Sequence, residues 1–303
     1  MALSPADGLL LLDKPAGYTS AKALARAKRF LAAPKAGHTG TLDPFATGLL
    51  PLAFGEATKF TRFLLDSSKT YLAVARLGLR TSTGDPEGEV VSRLPAGDYS
   101  AEIGEVLASF EGVQWQQPPM HSAIRQGGVR LYELARQGIE VERPPREVTI
   151  DQVKLVSYSA DLLEISVKCS KGTYIRSLAE DIGHRLGCGA TLVKLRRTAI
   201  GPLAIDAAVS LEELEREGPD QARARLLPPE ILAECLPRVD LSQADACALL
   251  QGKVIAIRGH ADGELRAYAP GGRFLGVAQV AKDALHAVRL MASSSSIQAP
   301  DFP

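Results

Sequence analysis

One stretch of this chain decides how its fold and function are interpreted: Gly37-His38-Thr39-Gly40-Thr41-Leu42-Asp43-Pro44-Phe45-Ala46-Thr47-Gly48. Three of these residues are glycines, which adopt backbone conformations that other residues avoid. The proline disfavours helical backbone at Asp43, so this aspartate stands in an extended or turn conformation. Most Asp-Pro pairs only cap a turn, but a plain turn needs one or two such residues. The whole stretch therefore predicts a functional loop.

Strand and helix signals are mixed on both sides of this loop. The segment Lys69–Leu77 alternates between two faces, which is typical of a strand. A helix is predicted to begin at Thr19 or Ser20, because either hydroxyl can cap it and apolar residues follow at helical spacing. Further strands are predicted over residues 9–12, 148–158, 162–169 and 191–200, and further helices over residues 174–186 and 211–217. This mixture predicts an α+β fold.

A second, smaller part is predicted at the C-terminal end. The dipeptide Pro228-Pro229 follows a charged helix and places a domain boundary near residues 230–238. Beyond it, a helix over Ser242–Leu250 is followed by several short apolar runs with glycine-containing turns between them. These runs cover residues 254–257, 265–268, 274–280 and 286–290. We therefore divide the chain into residues 1–235 and 236–303.

Composition and charge exclude some classes of protein but select none. No apolar run approaches the ~20 residues that a transmembrane helix needs. The four cysteines form no C-x-x-C pair and lie at no zinc-ligand spacing, so we expect reduced thiols and no metal. Net charge is zero, yet residues 1–80 carry 11 basic against 5 acidic residues, and residues 81–120 carry 1 against 7. This asymmetry fits a basic face for phosphates and, equally well, ordinary solvated surfaces.

The stretch Gly37–Gly48 resembles the catalytic loop of the TruB pseudouridine synthases, which runs G-H-T-G-x-L-D-P-x-A-T-G. In that family the aspartate is the catalytic residue, which implies this role for Asp43. The histidine of the family's loop lies against the flipped-out nucleotide, which implies a substrate contact for His38. The loop match thus turns a general expectation of function into a specific one.

Further motifs occur in the family's order across most of residues 8–202. The segment Lys69-Thr70-Tyr71 resembles the strand whose tyrosine stacks on the target base, which implies a substrate and catalytic role for Tyr71. Ser170-Lys171-Gly172-Thr173-Tyr174-Ile175-Arg176 resembles the segment whose tyrosine and arginine flank the site. This implies a substrate contact for Tyr174 and a catalytic role for Arg176. Leu195 matches the leucine that touches the base.

The resemblance also implies an architecture and an activity. Residues of about 112–147 resemble the family's RNA-gripping insertion, with Arg125 where a lysine is expected, and residues 236–291 more weakly resemble a PUA module. We expect an α+β catalytic domain with a mixed, largely antiparallel sheet, followed by a small β-barrel-like PUA domain. The implied activity converts a uridine in the T-loop of tRNA (position 55) to pseudouridine. We expect the tRNA T-arm as partner and a cytoplasmic location, without metal, organic cofactor, membrane or obligatory protein partner.

The chemistry suits these residue types. Cleavage of a glycosidic bond develops positive charge on the sugar, which a carboxylate such as Asp43 stabilises or traps. Arg176 can pair with that carboxylate and keep it ionised, and the flat ring of Tyr71 can stack on a flipped base. Attack on the sugar, addition to the base and removal of a ribose proton all remain open for the aspartate. Tyr71, Tyr174 and Leu195 also fit plain core positions.

Basic side chains near these motifs are candidates for contacts with RNA phosphates: Lys14, Arg196 and Arg197. Solvated positions fit each of them equally well. Two other functions share the binding features, namely a guide-RNA-dependent enzyme that needs partner proteins and an RNA-binding folding helper. The long insertion and the short C-terminal module favour a stand-alone enzyme, and only activity separates an enzyme from a folding helper.

Overall fold

The computed structural model describes residues 6–95, 97–122 and 124–291. Within these residues the strands, in chain order, are β1 (Gly8–Lys14), β2 (Ala36–His38), β3 (Thr47–Phe54), β4 (Lys69–Leu77), β5 (Leu79–Thr81), β6 (Val90–Arg93), β7 (Gly112–Gln116), β8 (Arg125–Gln126), β9 (Val129–Arg130), β10 (Arg146–Ser159), β11 (Leu162–Cys169), β12 (Ala190–Ile200), β13 (Leu203–Ala204), β14 (Arg238–Asp240), β15 (Ile255–Ala256), β16 (Gly263–Ala269), β17 (Arg273–Ala281) and β18 (Ala284–Leu290). The α-helices are α1 (Ser20–Phe30), α2 (Thr61–Leu65), α3 (Ile103–Ala108), α4 (Leu131–Arg136), α5 (Ile175–Arg185), α6 (Leu211–Glu217), α7 (Pro219–Ala224) and α8 (Gln243–Leu250). In this part of the chain, no helix is both long and apolar enough to cross a membrane.

One large sheet forms the centre of the catalytic part. Its main strands lie in the order β1, β3, β12, β4, β11, β10 and β7. Neighbouring strands run antiparallel except β3 and β12, which are parallel where Gly48 faces Arg197. A Cβ at Gly48 would lie 2.3 Å from the Arg197 carbonyl oxygen, so only glycine lets these two strands approach. The predicted α+β fold with a mixed, largely antiparallel sheet is confirmed.

Helices α1 and α5 pack into the same hydrophobic core cluster, and both carry residues that lie next to the candidate site. Helix α1 begins where the Thr19 hydroxyl accepts a hydrogen bond from Lys22 N at 3.1 Å, and it buries Ala23 and Ala27. Helix α5 buries Ile182 in the same cluster, together with apolar residues of β4 and β11. Both helices were predicted from their caps and spacing, and both are confirmed.

The C-terminal residues form a sheet of their own, with the strands in the order β14, β16, β17, β18 and β15. The predicted helix is present as α8, with Ser242 as its cap, and the four predicted runs correspond to β15–β18. Strand β14 was not predicted, because only Val239 of its three residues is buried and no alternation can show in so short a run. The architecture of a catalytic domain followed by a PUA-like domain is thereby supported.

The two parts of the chain share an apolar core. The rings of Phe60 and Phe274 meet edge to face with centroids 5.4 Å apart, and Tyr268 packs on Phe274 at the same distance. Leu9 and Leu11 of β1 belong to this second cluster. The division at 235/236 stays a prediction, and the residues on its two sides pack as one body rather than as loosely tethered modules.

Candidate active site

The loop around Asp43 is held by hydrogen bonds from its neighbours. The Ser20 hydroxyl accepts from Leu42 N at 2.8 Å and donates to Leu42 O at 3.1 Å. Gly17 N donates to Pro44 O at 2.8 Å, and Lys14 Nζ donates to the same oxygen at 3.3 Å. The residues on both sides of Asp43 are therefore fixed, which sets the position of its carboxylate.

Beside this loop lies a pocket of about 360 Å³, called the tyrosine pocket here. Its walls bring together most of the residues predicted for the site: Asp43, Tyr71, Tyr174, Arg176 and Leu195. They come from the loop, from β4, from the start of α5 and from β12. Residues separated by more than a hundred positions in sequence thus converge on one cavity, as the motif matches implied.

Asp43 forms part of a buried network of charges. Arg176 Nε lies 3.0 Å from Asp43 Oδ2, and Arg176 Nη1 lies 3.1 Å from Asp85 Oδ2. The Arg176 side chain is only 3% exposed, and it also donates to His121 O at 2.6 Å. Burial raises the pKa of Asp43 and the nearby Asp85 adds to this, whereas the charge of Arg176 opposes it. Arg176 therefore favours the ionised form of the carboxylate and fixes its orientation.

The two tyrosines of the pocket are held in different ways. Tyr71 lies on β4, and Arg197 stands opposite it on the neighbouring strand β12. Tyr174 precedes α5, and the buried Gln116 amide binds its peptide on both sides, accepting from Tyr174 N at 2.6 Å and donating to Tyr174 O at 2.9 Å. Burial raises the pKa of both phenols, so their rings form a largely apolar wall suited to a flat base.

His38 faces a different space. It lines a second cavity of about 530 Å³, called the acidic cleft here, which shares Asp43 and Arg176 with the tyrosine pocket. Asp85 and Glu87 also line this cleft, and burial followed by the charge of Asp85 raises the pKa of Glu87. The structure thus places His38 in the acidic cleft and not in the tyrosine pocket.

The three basic residues predicted to contact phosphates occupy different environments. Lys14 and Arg197 are fully buried, which argues against a direct contact of either side chain with a backbone phosphate. Lys14 Nζ donates to Tyr18 O at 2.6 Å. Arg196 remains a candidate, since its side chain is 39% exposed and forms a double hydrogen bond with Asp13 at 2.6 and 3.0 Å.

Sequence reasoning missed several residues that shape the site. Asp85 stands in Thr83-Gly84-Asp85-Pro86, a glycine- and proline-flanked acid like the Asp43 stretch, and that likeness was an available signal. The side chains of Gln116 and Ser20 act by binding the backbone of distant residues, Tyr174 and Leu42, and no local pattern marks such a contact. In the part of the chain that the structure describes, no group of three or more His, Cys, Asp or Glu side chains is placed to hold a metal ion.

Comparison with known proteins identifies the family. The model of the TruB family pseudouridylate synthase N-terminal domain matches residues 28–175. Models of the tRNA pseudouridylate synthase B C-terminal domain and of the pseudouridine synthase II TruB C-terminal region match residues 176–233 and 237–291. The tRNA pseudouridine synthase B of Azoarcus sp. (strain BH72) is 50% identical over 289 residues, which are 95% of this chain and 96% of that protein. The chain belongs to the TruB family.

Other relatives support the TruB assignment over the same length. The tRNA pseudouridine synthase B of Burkholderia mallei (strain NCTC 10247) is 48% identical over 302 residues, covering 97% of this chain and all of that protein. Among solved structures, a Cbf5-Nop10-Gar1 complex contains a chain with a TM-score of 0.69 and 26% identity, covering 90% of this chain and 78% of that one. An H/ACA RNP bound to a substrate RNA containing 2′-deoxyuridine matches with a TM-score of 0.74 over 97% of this chain and 87% of that one, at 24% identity. The resemblance seen in the sequence motifs is therefore confirmed.

Proposed function

We propose that this protein converts the uridine at position 55, in the T-loop of tRNA, to pseudouridine, with Asp43 as the catalytic carboxylate. The observation that carries the proposal is the pairing of Asp43 with Arg176 at the edge of a pocket walled by Tyr71, Tyr174 and Leu195. The names of the curated TruB relatives, all tRNA pseudouridine synthase B, support tRNA as the substrate class.

The tyrosine pocket suits a nucleobase that has left its stack. A uridine inside a folded RNA loop must be flipped out before its glycosidic bond can be reached. Tyr71 then offers a ring on which the base stacks, and Leu195 gives an apolar contact on the same wall. Asp43 lies at the edge of this space, where the ribose of a base seated between the two tyrosines would stand.

The reaction needs an anion at this position and no co-reactant. Positive charge develops at the ribose C1′ as the bond to N1 breaks, and the ionised carboxylate of Asp43 stabilises it. The detached uracil then turns, and C5 bonds to C1′. Every atom of the substrate returns to the product, so the change is an isomerisation that balances without an oxidant, a metal or a second substrate.

A stand-alone enzyme acting on tRNA in the cytoplasm is the form of this function that the chain favours. Ser122 and Ile124, which lie in the predicted insertion, line the tyrosine pocket. A surface element that reaches over the site can grip an RNA loop directly, which leaves no task for a guide RNA or a partner protein.

The experiment is a mapping of the product. Unmodified tRNA made by transcription is incubated with the pure protein, and pseudouridine is located by carbodiimide labelling and primer extension. We expect a single new stop that reports position 55, and no stop in a matched tRNA with cytidine at that position. Absence of pseudouridine, or its appearance at another position, would overturn the proposal.

A further inference from the structure

Arg197 is a buried cation behind the tyrosine pocket, with an exposed fraction of 1%. Its Nε donates to Leu49 O at 2.7 Å and its Nη2 to Gly40 O at 3.2 Å, and its charge lies close enough to Tyr71 to lower the pKa of that phenol. None of the ion pairs among the described residues includes Arg197. Burying an arginine without a carboxylate partner is costly in free energy, and a functional role would explain why this charge is kept.

The strand register places this cation directly opposite Tyr71. Strands β12 and β4 pair antiparallel, with Arg197 across from Tyr71 and Leu195 across from Ala73. Residues opposite each other in a sheet project from the same face, and so do residues two apart on one strand. The guanidinium, the phenol and the Leu195 side chain therefore share one face of the central sheet, which fixes their relative positions.

The surroundings of Arg197 are already positively charged. Lys14 and Lys69 lie near enough for Arg197 to contribute to their titration, and desolvation lowers the pKa of each to about 8. Both lysines bind backbone carbonyl oxygens, as Lys69 Nζ does with Leu65 O at 2.6 Å. The floor of the pocket thus carries more positive than negative charge, and it favours an anion at its surface.

The phenol of Tyr71 is the group at this floor that can become that anion. Burial raises the pKa of Tyr71, and the neighbouring Cys169 and Asp43 raise it further, whereas Arg197 lowers it. The thiol of Cys169, whose pKa burial raises to about 11, stays neutral near neutral pH. Arg197 is therefore the contact that favours a negatively charged oxygen on Tyr71.

We propose that Arg197 is a positioning residue for proton transfer. It holds the Tyr71 oxygen at the pocket wall and is the counter-ion of that oxygen until it takes the proton from C5 of the turned base. This role rests on the proposed pseudouridine synthase function and assigns the second half of that reaction to the floor of the pocket. In this role Arg197 acts through Tyr71.

The proton transfer from C5 to Tyr71 conserves protons and electrons. After C5 has bonded to C1′, the C5–H bond breaks and its proton passes to the Tyr71 oxygen. The electron pair of that bond re-forms the C5=C6 double bond, and the N1=C6 electrons return to N1. N1 then takes a proton from water, and the Tyr71 phenol returns its proton to solvent. The numbers of protons and electrons are unchanged overall.

A double-mutant cycle separates this role from a structural one. Single-turnover rates on unmodified tRNA are measured for the parent, Arg197→Met, Tyr71→Phe and the double variant, each shown to be folded by circular dichroism. We expect Arg197→Met to slow the parent about 100-fold, within the range for general-base catalysis. We expect it to slow Tyr71→Phe less than about threefold, because residues that act as a unit are not additive. Equal slowing in both backgrounds would mean that Arg197 only supports Gly40 and Leu49, and would overturn the role.

A second measurement does not depend on Arg197→Met alone, because that substitution could disturb the packing around the buried site. Arg197→Lys keeps the charge but loses the fork of donors, and 3-fluorotyrosine placed at position 71 gives a more acidic phenol of nearly the same size. We expect fluorotyrosine to restore part of the rate that Arg197→Lys or Arg197→Met loses, since a purely structural defect does not respond to phenol acidity. An unchanged or lower rate would contradict the role of Arg197 alone. A parent protein that forms no pseudouridine would instead overturn the proposed function itself.

Discussion

The catalytic loop and the insertion both wall the tyrosine pocket, but they are held in opposite ways. The loop is bonded to other elements near Asp43: Ser20 binds Leu42, Lys14 binds Pro44. The described residues of the insertion between β7 and β10 bond mainly to one another, as Gln126 Nε2 does with Glu142 O at 3.3 Å. Residues 125–129 and 136–140 of this segment are exposed.

The difference follows from the tasks of the two elements. A carboxylate that stabilises developing charge must be in place before the reaction, because reorganisation during the reaction would cost part of the stabilisation. An exposed element that contacts an RNA loop, the role proposed for the insertion, need not be fixed before the RNA binds. We therefore expect changes in the loop and its supports to affect the rate of reaction, and changes in the exposed insertion to affect binding.

The largest effect is expected at the carboxylate. Asp43→Asn keeps the shape of the side chain but removes the charge that meets the positive sugar, so pseudouridine formation should fall by at least about 1,000-fold. Binding of tRNA should stay within about twofold, measured by filter retention at fixed salt. Activity within tenfold of the parent would remove Asp43 from the chemistry.

A smaller effect is expected at Tyr71, and two substitutions separate its roles. If the hydroxyl accepts the C5 proton, Tyr71→Phe should slow single-turnover formation of pseudouridine by about 10²–10⁴. It should also show a larger isotope effect with 5-deuterated uridine than the parent does. If the ring only stacks, Tyr71→Phe retains most activity and Tyr71→Leu loses about 1–3 kcal/mol of stacking. Parental turnover in both variants would place Tyr71 outside the site.

A still smaller effect is expected at Lys14, which supports the loop through its hydrogen bond to Pro44 O. Lys14→Met leaves Pro44 O and Tyr18 O without this donor, so we expect about a tenfold lower rate with unchanged tRNA affinity. The substitution also has a signature in pH. Because desolvation lowers the pKa of Lys14 to about 8, folding favours its neutral form. The stability that this gives is complete above pH ~10.4 and is lost as the pH falls through about 8.

Chemical denaturation measures this signature. The free energy of unfolding of the parent should increase relative to that of Lys14→Met as the pH rises from about 7.5 to about 10. The comparison of the two proteins cancels the titration of Cys169 and the tyrosines, which is common to both. A pH-independent difference between them would show that Lys14 is not a buried, desolvated ammonium group in solution.

The smallest effect is expected in the insertion. Arg125 is exposed, and its charge-removing variant Arg125→Gln should weaken tRNA binding a few-fold and reduce the slope of log affinity against log salt by about 1. The maximal rate should not change. Lys154→Gln on the exposed part of β10 is a matched control that lines neither cavity, and it should leave both quantities at the parental value. An unaltered salt dependence in Arg125→Gln would exclude a phosphate contact.

Part of the site could be predicted from the sequence because local signals mark it. The alternation of Lys69–Leu77, the cap at Thr19 and the Asp-Pro loop each depend on neighbours in the chain, and each element is present in the structure. Strand β3 was missed because Gly48 and Pro51 interrupt it, and both normally mark turns. Here Gly48 is needed because its φ is +102° and because β12, far along the chain, approaches it closely.

The errors and omissions at the site have the same origin. Lys14 and Arg197 were interpreted as surface cations because long charged residues are almost never fully buried. Their burial depends on carbonyl oxygens that other elements supply, which no local pattern reveals. Asp85 was missed for a related reason, since its contact with Arg176 joins residues that are 91 positions apart.

One titration tests the division of labour between the tyrosine pocket and the insertion most directly. Single-turnover rates are measured against protein concentration on one unmodified tRNA for the parent, Tyr71→Phe and Arg125→Gln. We predict that Tyr71→Phe lowers the plateau rate and leaves the half-saturating concentration within about twofold, while Arg125→Gln raises the half-saturating concentration and leaves the plateau unchanged. A lowered plateau in Arg125→Gln at parental half-saturation, or a parental plateau in Tyr71→Phe with weakened binding, would contradict the account.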